Sequence, residues 1–272
     1  MSAEFPYKTA LVLGATSGIG LALAERLVEN GSHVIAVGRR KENLSSLRER
    51  HGRDQVSISP FDMTDLAGIP AFADSSLTRP PESSRATPSL DSVVLNAGIQ
   101  RRLDFTHPPS VDLAQVGTEL TTNYLSPIHL VTAFLPHLQR QSTPTSLIFT
   151  TSGLALVPIL RCPNYGASKA ALHHLILCLR EQLQAGGSGV KVIEVLPPAV
   201  QTELHDRKHQ PDIKEGGSIG MPLDEFTDEI WRGLCEGKTD VPVGMAKQSY
   251  EGWEMQRQGV FRGMLQKGLG VL

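Results

Sequence analysis

A glycine-rich turn between a predicted strand and a predicted helix constrains the fold more than any other feature of the sequence. An apolar run at residues 9–13 leads into Gly14, Gly18 and Gly20, and residues 21–27 then have the apolar spacing of a helix. Glycines allow a tight turn and a close backbone approach, and the first turn of a helix offers N–H groups to a pyrophosphate. The sequence therefore predicts a dinucleotide site here, with a plain strand-to-helix turn as the alternative.

Predicted strands alternate with predicted helices along the chain. Apolar runs predict strands at residues 9–13, 33–37, 55–60, 92–95, 147–150, 190–196 and 241–243. Helical spacing occurs at residues 21–27, 41–51, 111–140, 165–183 and 222–235. This alternation predicts an α/β fold of the Rossmann type, a doubly wound parallel sheet with helices on both faces, in which residues 1–272 form a single domain. Ligands of such sheets bind at the carboxyl ends of the strands.

Two segments do not fit the alternation. Residues 74–90 are rich in Ser, Pro, Thr and Arg, a composition that buries little apolar surface, and we expect a mobile surface insertion there. Residues 203–222 contain Gly216 and Gly217 and have no helical or strand pattern until their end. We expect this second segment to form a loop that covers a substrate.

Composition narrows the choice of partners. The net charge of −2 gives no electrostatic reason to expect a nucleic acid or membrane partner. Cys162, Cys178 and Cys235 have unrelated spacings that suit neither a disulfide framework nor a zinc site, so no metal is predicted. The N-terminus lacks an apolar signal region, and no run reaches the roughly eighteen apolar residues of a membrane span. The expectation is a soluble, cytoplasmic protein.

Two arginines at the end of the second predicted strand indicate the type of dinucleotide. In this kind of fold the strand end faces the adenosine ribose, where an acidic residue binds a 2′-hydroxyl and an arginine binds a 2′-phosphate. Arg39 and Arg40 therefore favour NADP(H), and NAD(H) remains possible. The alternative for at least one of them is that it begins the charged helix of residues 41–51.

Tyr165 and Lys169 lie four residues apart in a predicted helix and therefore share one face. A phenol is a weak base at neutral pH, but an adjacent ammonium favours the phenolate. Ser152 follows the strand at residues 147–150, where its hydroxyl could hold a substrate carbonyl against the phenol. A tyrosine and lysine at this spacing also occur by chance in many helices.

Three further polar positions stand at strand ends or in a helix. Asp62 follows the third strand, where it could contact an adenine edge, and a turn at residues 96–98 follows the fourth strand, beside the cofactor or as a structural turn only. Asn123 interrupts an apolar helical face formed by Leu120, Tyr124, Ile128, Leu130, Val131, Phe134, Leu135 and Leu138. A buried amide needs partners, so Asn123 is either part of a relay to water or lysine or a core asparagine bonded within the protein.

The order and spacing of these motifs over residues 8–202 closely resemble the short-chain dehydrogenase/reductase family. The resemblance implies that Tyr165 donates or accepts a proton, and that Lys169 lowers the pKa of Tyr165 and binds the nicotinamide ribose. It implies that Ser152 orients a carbonyl and that Asn123 holds a water linked to Lys169. The implied cofactor-binding residues are Gly14, Ser17, Gly18, Ile19, Gly20, Arg39, Arg40, Asp62, Met63, Asn96, Ala97, Gly98, Tyr165, Lys169, Val200 and Thr202.

Two positions depart from the family pattern. Leu13 replaces the usual threonine before the first glycine, which is a structural position. Pro197 and Pro198 replace the usual Pro-Gly after the sixth strand. Because proline fixes its φ angle and lacks an N–H, we expect the loop on the nicotinamide side to have an unusual shape.

The predicted function is an NADP(H)-dependent oxidoreductase that transfers hydride between nicotinamide and a carbonyl or alcohol, most often in the direction of ketone or aldehyde reduction. The alternatives are an NAD-dependent alcohol dehydrogenase and a non-catalytic dinucleotide sensor. The resemblance also implies a homodimer or homotetramer. Five remaining polar residues are assigned to structure or surface: His173, His174, Cys178, His205 and His209.

Overall fold

The computed structural model describes residues 4–78 and 89–270, and a seven-stranded parallel sheet lies at its centre. The strands are β1 (Thr9–Leu13), β2 (His33–Gly38), β3 (Val56–Pro60), β4 (Ser92–Leu95), β5 (Thr145–Thr150), β6 (Val190–Leu196) and β7 (Asp240–Pro242). Their order is β3-β2-β1-β4-β5-β6-β7, and every neighbouring pair is parallel. All carboxyl ends therefore meet at one edge of the sheet.

Nine α-helices accompany the strands in the described residues. They are α1 (Gly18–Glu29), α2 (Lys41–His51), α3 (Ile69–Thr78), α4 (Leu113–Leu120), α5 (Ser126–Gln139), α6 (Pro163–Ala185), α7 (Leu223–Cys235), α8 (Met245–Ser249) and α9 (Met255–Gln266). A π-helical turn, Thr121–Leu125, joins α4 to α5, and a second, Tyr250–Glu254, joins α8 to α9. Within the described part of the chain, none of these helices is both long enough and apolar enough to cross a membrane.

Two apolar layers cover the sheet. Buried side chains of α1, α2 and α7 pack against one face, and those of α3, α5 and α6 pack against the other. The predicted Rossmann-type fold, with a parallel sheet and helices on both faces, is confirmed. Burial of strands on both faces explains why they appear in the sequence as nearly continuous apolar runs.

The prediction of a surface insertion at residues 74–90 is wrong at its start. Residues 74–78 are the last turn of α3, a helix that the sequence interpretation missed. Ile69, Phe72 and Ala73 are buried, and Phe72 stacks on Phe61 with ring centroids 4.3 Å apart. The short apolar face of α3 is enough to form a helix against the sheet, although its C-terminal half is polar. Residues 79–88 lie outside the described residues.

The apolar face predicted at residues 111–140 is also only partly correct. Leu130, Val131, Phe134 and Leu138 are buried as expected. Leu120 is 38% exposed. The π-helical turn between α4 and α5 adds a residue to one turn of the helix and so changes the face that follows it, and this change is invisible to a search for regular helical spacing.

The glycine-rich turn is shaped by two close approaches. Gly14 has a φ of +86°, and a Cβ added there would lie 2.9 Å from the Cα of Ala97. A Cβ at Gly20 would lie 2.3 Å from the carbonyl oxygen of Gly14 and 2.4 Å from Nδ2 of Asn96. Glycine is therefore required at both positions, one by backbone conformation and the other by the packing of α1 on β1 and β4.

We expect Gly20→Ala to displace α1 from the turn. The variant should have a lower melting temperature than the natural protein, because the new methyl group meets the backbone of Gly14, which cannot move aside. The matched control is Gly259→Ala in α9, where an added Cβ has no neighbour within 4 Å. Calorimetry should show a normal or slightly raised melting temperature for the control. Equal melting temperatures for the two variants would contradict this packing.

Candidate active site

The first turn of α1 faces the carboxyl edge of the sheet with its N–H groups free of intrahelical bonds. The first such bond of the helix runs from Leu21 N to Ser17 O at 3.3 Å, and the Ser17 side chain does not cap the helix. The N–H groups of Gly18, Ile19 and Gly20 precede that bond and are available to an anion. The first turn of α1 therefore has the free N–H groups that an anion such as a pyrophosphate binds at a helix N-terminus.

The turn after β4 packs directly against the glycine-rich turn. Ala97 touches Gly14 and the amide of Asn96 touches Gly20, as the close approaches at those two glycines show. These two predicted cofactor residues are thus brought together with the predicted pyrophosphate cradle. The contact also joins the two halves of the sheet edge, because β1 and β4 are neighbours.

Tyr165, Lys169 and Ser152 come together beside the end of β5. The ammonium of Lys169 donates to the carbonyl oxygen of Thr150 at 2.8 Å and lies 5.8 Å from the centre of the Tyr165 ring. Ser152 accepts a hydrogen bond from Leu154 N at 3.1 Å, and its hydroxyl lies near the Tyr165 phenol. All three side chains are buried.

Burial sets the protonation of this group. It raises the pKa of the Tyr165 phenol, and the hydrogen bond with Ser152 only partly opposes that rise. Burial also lowers the pKa of Lys169 to about 8, against the attraction of the Glu194 carboxylate, which raises it. At neutral pH the phenol therefore keeps its proton and the lysine is mainly cationic. Burial, rather than the lysine charge, dominates the pKa of the phenol.

The amide of Asn123 is bonded within the protein. Its oxygen accepts from Ile99 N at 2.9 Å, and its nitrogen donates to Ile99 O at 2.9 Å and to the hydroxyl of Ser168 at 3.0 Å. A Cβ at Gly98 would lie 3.3 Å from this amide oxygen and 3.4 Å from Nζ of Lys169. These bonds satisfy the side-chain amide within the protein and hold the chain after β4 beside the lysine, and the relay to water stays a prediction.

On the side of the carboxyl edge where adenosine is predicted to bind, polar and charged side chains surround Arg40. Its guanidinium donates to the hydroxyl of Thr16 at 2.9 Å and to that of Ser17, and it forms an ion pair with Glu203 at 2.5 Å. The sequence interpretation missed Thr16 and Glu203, because only the folded chain brings the first turn, the end of β2 and the loop after β6 together.

Arg39, Asp62 and Met63 form the outer part of the same side. Arg39 is largely exposed and lies 3.6 Å from Asp62. The Asp62 carboxylate also accepts from the N–H and hydroxyl of Thr64, and these contacts outweigh the effect of partial burial and lower its pKa. Met63 is partly buried, and its carbonyl accepts from the hydroxyl of Ser126 at 2.6 Å.

The loop after β6 reaches the glycine-rich turn. A Cβ at Gly18 would lie 3.1 Å from the Cβ and Cγ2 of Thr202, so these two residues face each other across the cradle. Val200 is buried and forms a parallel bridge with Met221. Thr202 thus lies beside the glycine-rich turn, and the contacts of Val200 and Thr202 with nicotinamide stay a prediction.

The two prolines after β6 contact the backbone of neighbouring segments. The carbonyl of Pro197 accepts from Gly153 N at 2.8 Å, so it holds the chain just after Ser152. Pro198 faces Gly244, whose φ is +55° and whose added Cβ would lie 3.2 Å from Cγ of the proline. The second proline therefore requires a glycine before α8.

The sequence model of short chain dehydrogenases matches residues 8–212. The chain belongs to the short chain dehydrogenase family. An uncharacterized oxidoreductase, DltE of Bacillus subtilis, is 35% identical over 234 residues, which cover 86% of each chain. The NADP-dependent 3-hydroxy acid dehydrogenase YdfG of Salmonella typhimurium is 31% identical over 81% of this chain and 86% of its own.

A solved structure agrees with this assignment. The short chain dehydrogenase from Burkholderia cenocepacia, crystallised with NADP, aligns with a TM-score of 0.74 at 26% identity and covers 96% of this chain and 99% of its own. The resemblance drawn from the sequence is confirmed, and the protein is an oxidoreductase of this family. In the described residues, no group of three or more His, Cys, Asp or Glu side chains is arranged to hold a metal ion.

In this short chain dehydrogenase, hydrogen bonds and ion pairs hold the loop of residues 203–222 against neighbouring segments of the chain. Gln210 is buried and donates to the side chain of Gln100 at 2.9 Å. Arg161 donates to Gln210 at 3.1 Å and to Asp212 at 2.6 Å, and Arg102 lies 3.4 Å from the same aspartate. Both arginines are therefore paired with the loop.

Asp212→Asn should loosen this loop, because the substitution removes the charge that pairs with Arg161 and Arg102. A partly exposed ion pair is worth ~1 kcal/mol, which corresponds to about a fivefold larger open population. Trypsin should therefore cut at exposed Arg207, Lys208 and Lys214 about five times faster. The matched control, Asp104→Asn, leaves the Arg161 pair intact. Equal cleavage rates in the two variants would show that Asp212 does not hold the loop.

Proposed function

We propose that the protein is an NADP(H)-dependent reductase of ketones or aldehydes. The observation that carries the proposal is the arrangement of a buried Tyr165 near the Ser152 hydroxyl and the Lys169 ammonium, at the sheet edge that also carries the free N-terminus of α1. A phenol that holds its proton at neutral pH is poised to give it to a substrate oxygen, which is the reductive direction.

The residues present fit a nicotinamide dinucleotide. The cradle at α1 suits the pyrophosphate, and Arg39 and Arg40 lie at the end of β2, where a 2′-phosphate would be bound. The NADP-dependent relative and the NADP complex of a structural neighbour support the same cofactor. When bound, the cofactor supplies the hydride.

Each residue of the chain has a separate part in the proposed reaction. Ser152, whose oxygen is fixed by Leu154 N, orients the substrate carbonyl towards the phenol. Tyr165 gives the proton to the carbonyl oxygen, and Lys169 stabilises the phenolate that is left and binds the nicotinamide ribose. Asn123 positions the chain beside the lysine through Ile99. These parts need no metal ion.

The substrate proposed is a medium-sized, partly apolar carbonyl compound or the corresponding alcohol. Val157, Ile159 and Leu160 leave apolar surface exposed on the segment after Ser152, and Leu160 is 98% exposed. The loop of residues 203–222 closes the same side through its bonds to Arg161. The guanidinium groups of Arg161 and Arg102 are already paired with Asp212 of that loop, which favours an uncharged reacting group.

We also propose a homodimer or homotetramer that forms through α4, α5 and α6. Leu113 and Leu120 on α4 are 76% and 38% exposed, which leaves apolar surface for a second copy. A cytoplasmic location is retained as a prediction from the sequence.

Tyr165→Phe should abolish most of the reduction while leaving the fold and the cofactor site intact. Loss of a positioned general acid costs on the order of 100- to 10,000-fold in rate. The measurement is the decay of NADPH absorbance with a panel of ketones and aldehydes, together with NADPH affinity. Tyr124→Phe, at a partly buried tyrosine on the core side of the π-helical turn, is the control and should keep normal activity. Near-normal activity of Tyr165→Phe would remove this tyrosine from the reaction.

Arg39→Asp tests the cofactor. The substitution places a carboxylate where a 2′-phosphate would lie, and charged hydrogen bonds of this kind are worth about 1.5–3 kcal/mol, or roughly 10- to 100-fold in affinity. NADPH should therefore bind at least tenfold more weakly, and NADH should be little affected. Arg53→Asp makes the same change of charge in the turn after α2 and should alter neither affinity. A variant that loses NADH more than NADPH would favour the NAD-dependent alternative.

A further inference from the structure

A carboxylate is buried in β6, the strand next to the edge strand β7, close to the active site. Glu194 lies in β6 between Ile193 and Val195, and its side chain is completely buried. An ionised carboxylate in such a place is costly unless charged and hydrogen-bonding partners surround it. Its partners therefore show what the residue does.

The first partner is His173, which joins Glu194 to the C-terminal segment. Nδ1 of His173 lies 2.8 Å from Glu194, and Nε2 lies 3.0 Å from Glu254 in the second π-helical turn. Both ring nitrogens face carboxylates, which requires the doubly protonated imidazolium. Burial alone would lower the pKa of His173, but the two carboxylates raise it to about 9. His173 is thus structural, as the sequence interpretation assigned it.

The second partner of Glu194 is Thr151, which lies next to Ser152 in the active site. The hydroxyl of Thr151 donates to Glu194 at 2.5 Å, and Thr151 N donates to Val195 O at 2.9 Å. Thr151 is the residue between Thr150, whose carbonyl accepts from Lys169, and Ser152, whose hydroxyl lies near Tyr165. Glu194 therefore fixes the peptide segment that carries both contacts.

The third partner of Glu194 is Lys169, on which the carboxylate acts through its charge. Lys169 and His173 are four residues apart in α6, on the same face and close to Glu194. The charge of Glu194 opposes the effect of burial on Lys169 and favours its ammonium form. The ion-pair bridge formed by Glu194, His173 and Glu254 thus lies next to Lys169.

The other charged groups around this bridge also have ion-pair partners. Arg257 donates to Glu254 at 2.7 Å, and Gln258 donates to the same carboxylate at 3.0 Å. Arg180 of α6 pairs with Asp240 of β7 at 2.9 Å. Glu254 is therefore neutralised from two sides, by Arg257 and by His173. Glu194 is the carboxylate that acts on Lys169.

We propose that Glu194 is a positioning residue of the active site, which holds Thr151 and thereby the Thr150 carbonyl and the Ser152 hydroxyl, and supplies the negative charge that stabilises the Lys169 ammonium. This inference rests on the proposed function. It adds a residue outside the Ser152, Tyr165 and Lys169 group, and it explains why an acidic side chain interrupts an otherwise apolar strand. Glu254 completes the bridge but does not touch the catalytic segment.

The test compares Glu194→Gln with Glu254→Gln. Both substitutions remove one carboxylate from His173, so both should lower the melting temperature. Only Glu194→Gln should reduce kcat, on the order of 10- to 100-fold, because a small displacement of reacting groups has effects of that size. Removal of the Glu194 charge should lower the pKa of Lys169 by about one unit or more. The activity of this variant should therefore fall at a lower pH on the alkaline side than that of the natural protein.

The pKa of Lys169 is also measured directly by NMR titration of protein labelled with ¹³C-lysine, with Lys169→Arg used to assign the signal. A lower pKa in Glu194→Gln and an unchanged value in Glu254→Gln would support the inference. Equal shifts in the two variants, or none, would overturn it. This readout does not depend on turnover, so absence of carbonyl reduction by the natural protein would refute the proposed function separately.

A second pair of variants covers the case in which Glu194→Gln fails to fold. Thr151→Val keeps the charged bridge and removes the hydroxyl that Glu194 binds, whereas Thr151→Ser keeps the hydroxyl. The valine variant should lose on the order of tenfold in kcat with little change in NADPH affinity, and the serine variant should restore most of the rate. Normal kcat in the valine variant would show that Glu194 does not position the catalytic segment.

Discussion

The hydrogen bond from the Lys169 ammonium to the Thr150 carbonyl is the contact on which the active site depends. It fastens α6, which carries Tyr165, to the end of β5, which leads into Ser152. Because all strands are parallel, this point lies at the same edge as the glycine-rich turn of α1. A single buried bond thus aligns Tyr165 and Ser152, the proposed proton donor and the proposed carbonyl-orienting residue, at the edge that also carries the first turn of α1.

Burial shifts the pKa values of Tyr165 and Lys169, and it also carries a free-energy cost for a buried charge. The same loss of water that keeps the proton on Tyr165 lowers the pKa of Lys169 to about 8, close to the range in which the lysine would lose its charge. A buried ammonium therefore needs a compensating negative group. Glu194 occupies that place, and its own burial is supported by His173 and Thr151.

Much of this could be predicted from the sequence, because it depends on local patterns. The bounds of β1, β4, β6 and α2 agree with the apolar runs and helical spacing from which they were predicted. Candidate site residues such as Asp62, Asn96 and Ser152 follow strand ends, which a parallel sheet brings to one edge. Contacts between distant segments could not be predicted: the pairing of Arg40 with Glu203, the bridge from Glu194 through His173 to Glu254, and the bonds that satisfy Asn123 all depend on the folded chain. Helix α3 was missed because its apolar face is short and its C-terminal half is polar.

We propose that this edge of the sheet binds a nicotinamide dinucleotide and uses it to reduce a carbonyl. Titration of the purified protein with NADPH and separately with NADH, followed by absorbance decay with a range of ketones and aldehydes, tests this proposal. We expect tighter binding of NADPH than of NADH and turnover with at least one carbonyl substrate. Binding without turnover across a broad panel would favour the sensor alternative, and failure to bind either nucleotide would refute the proposal.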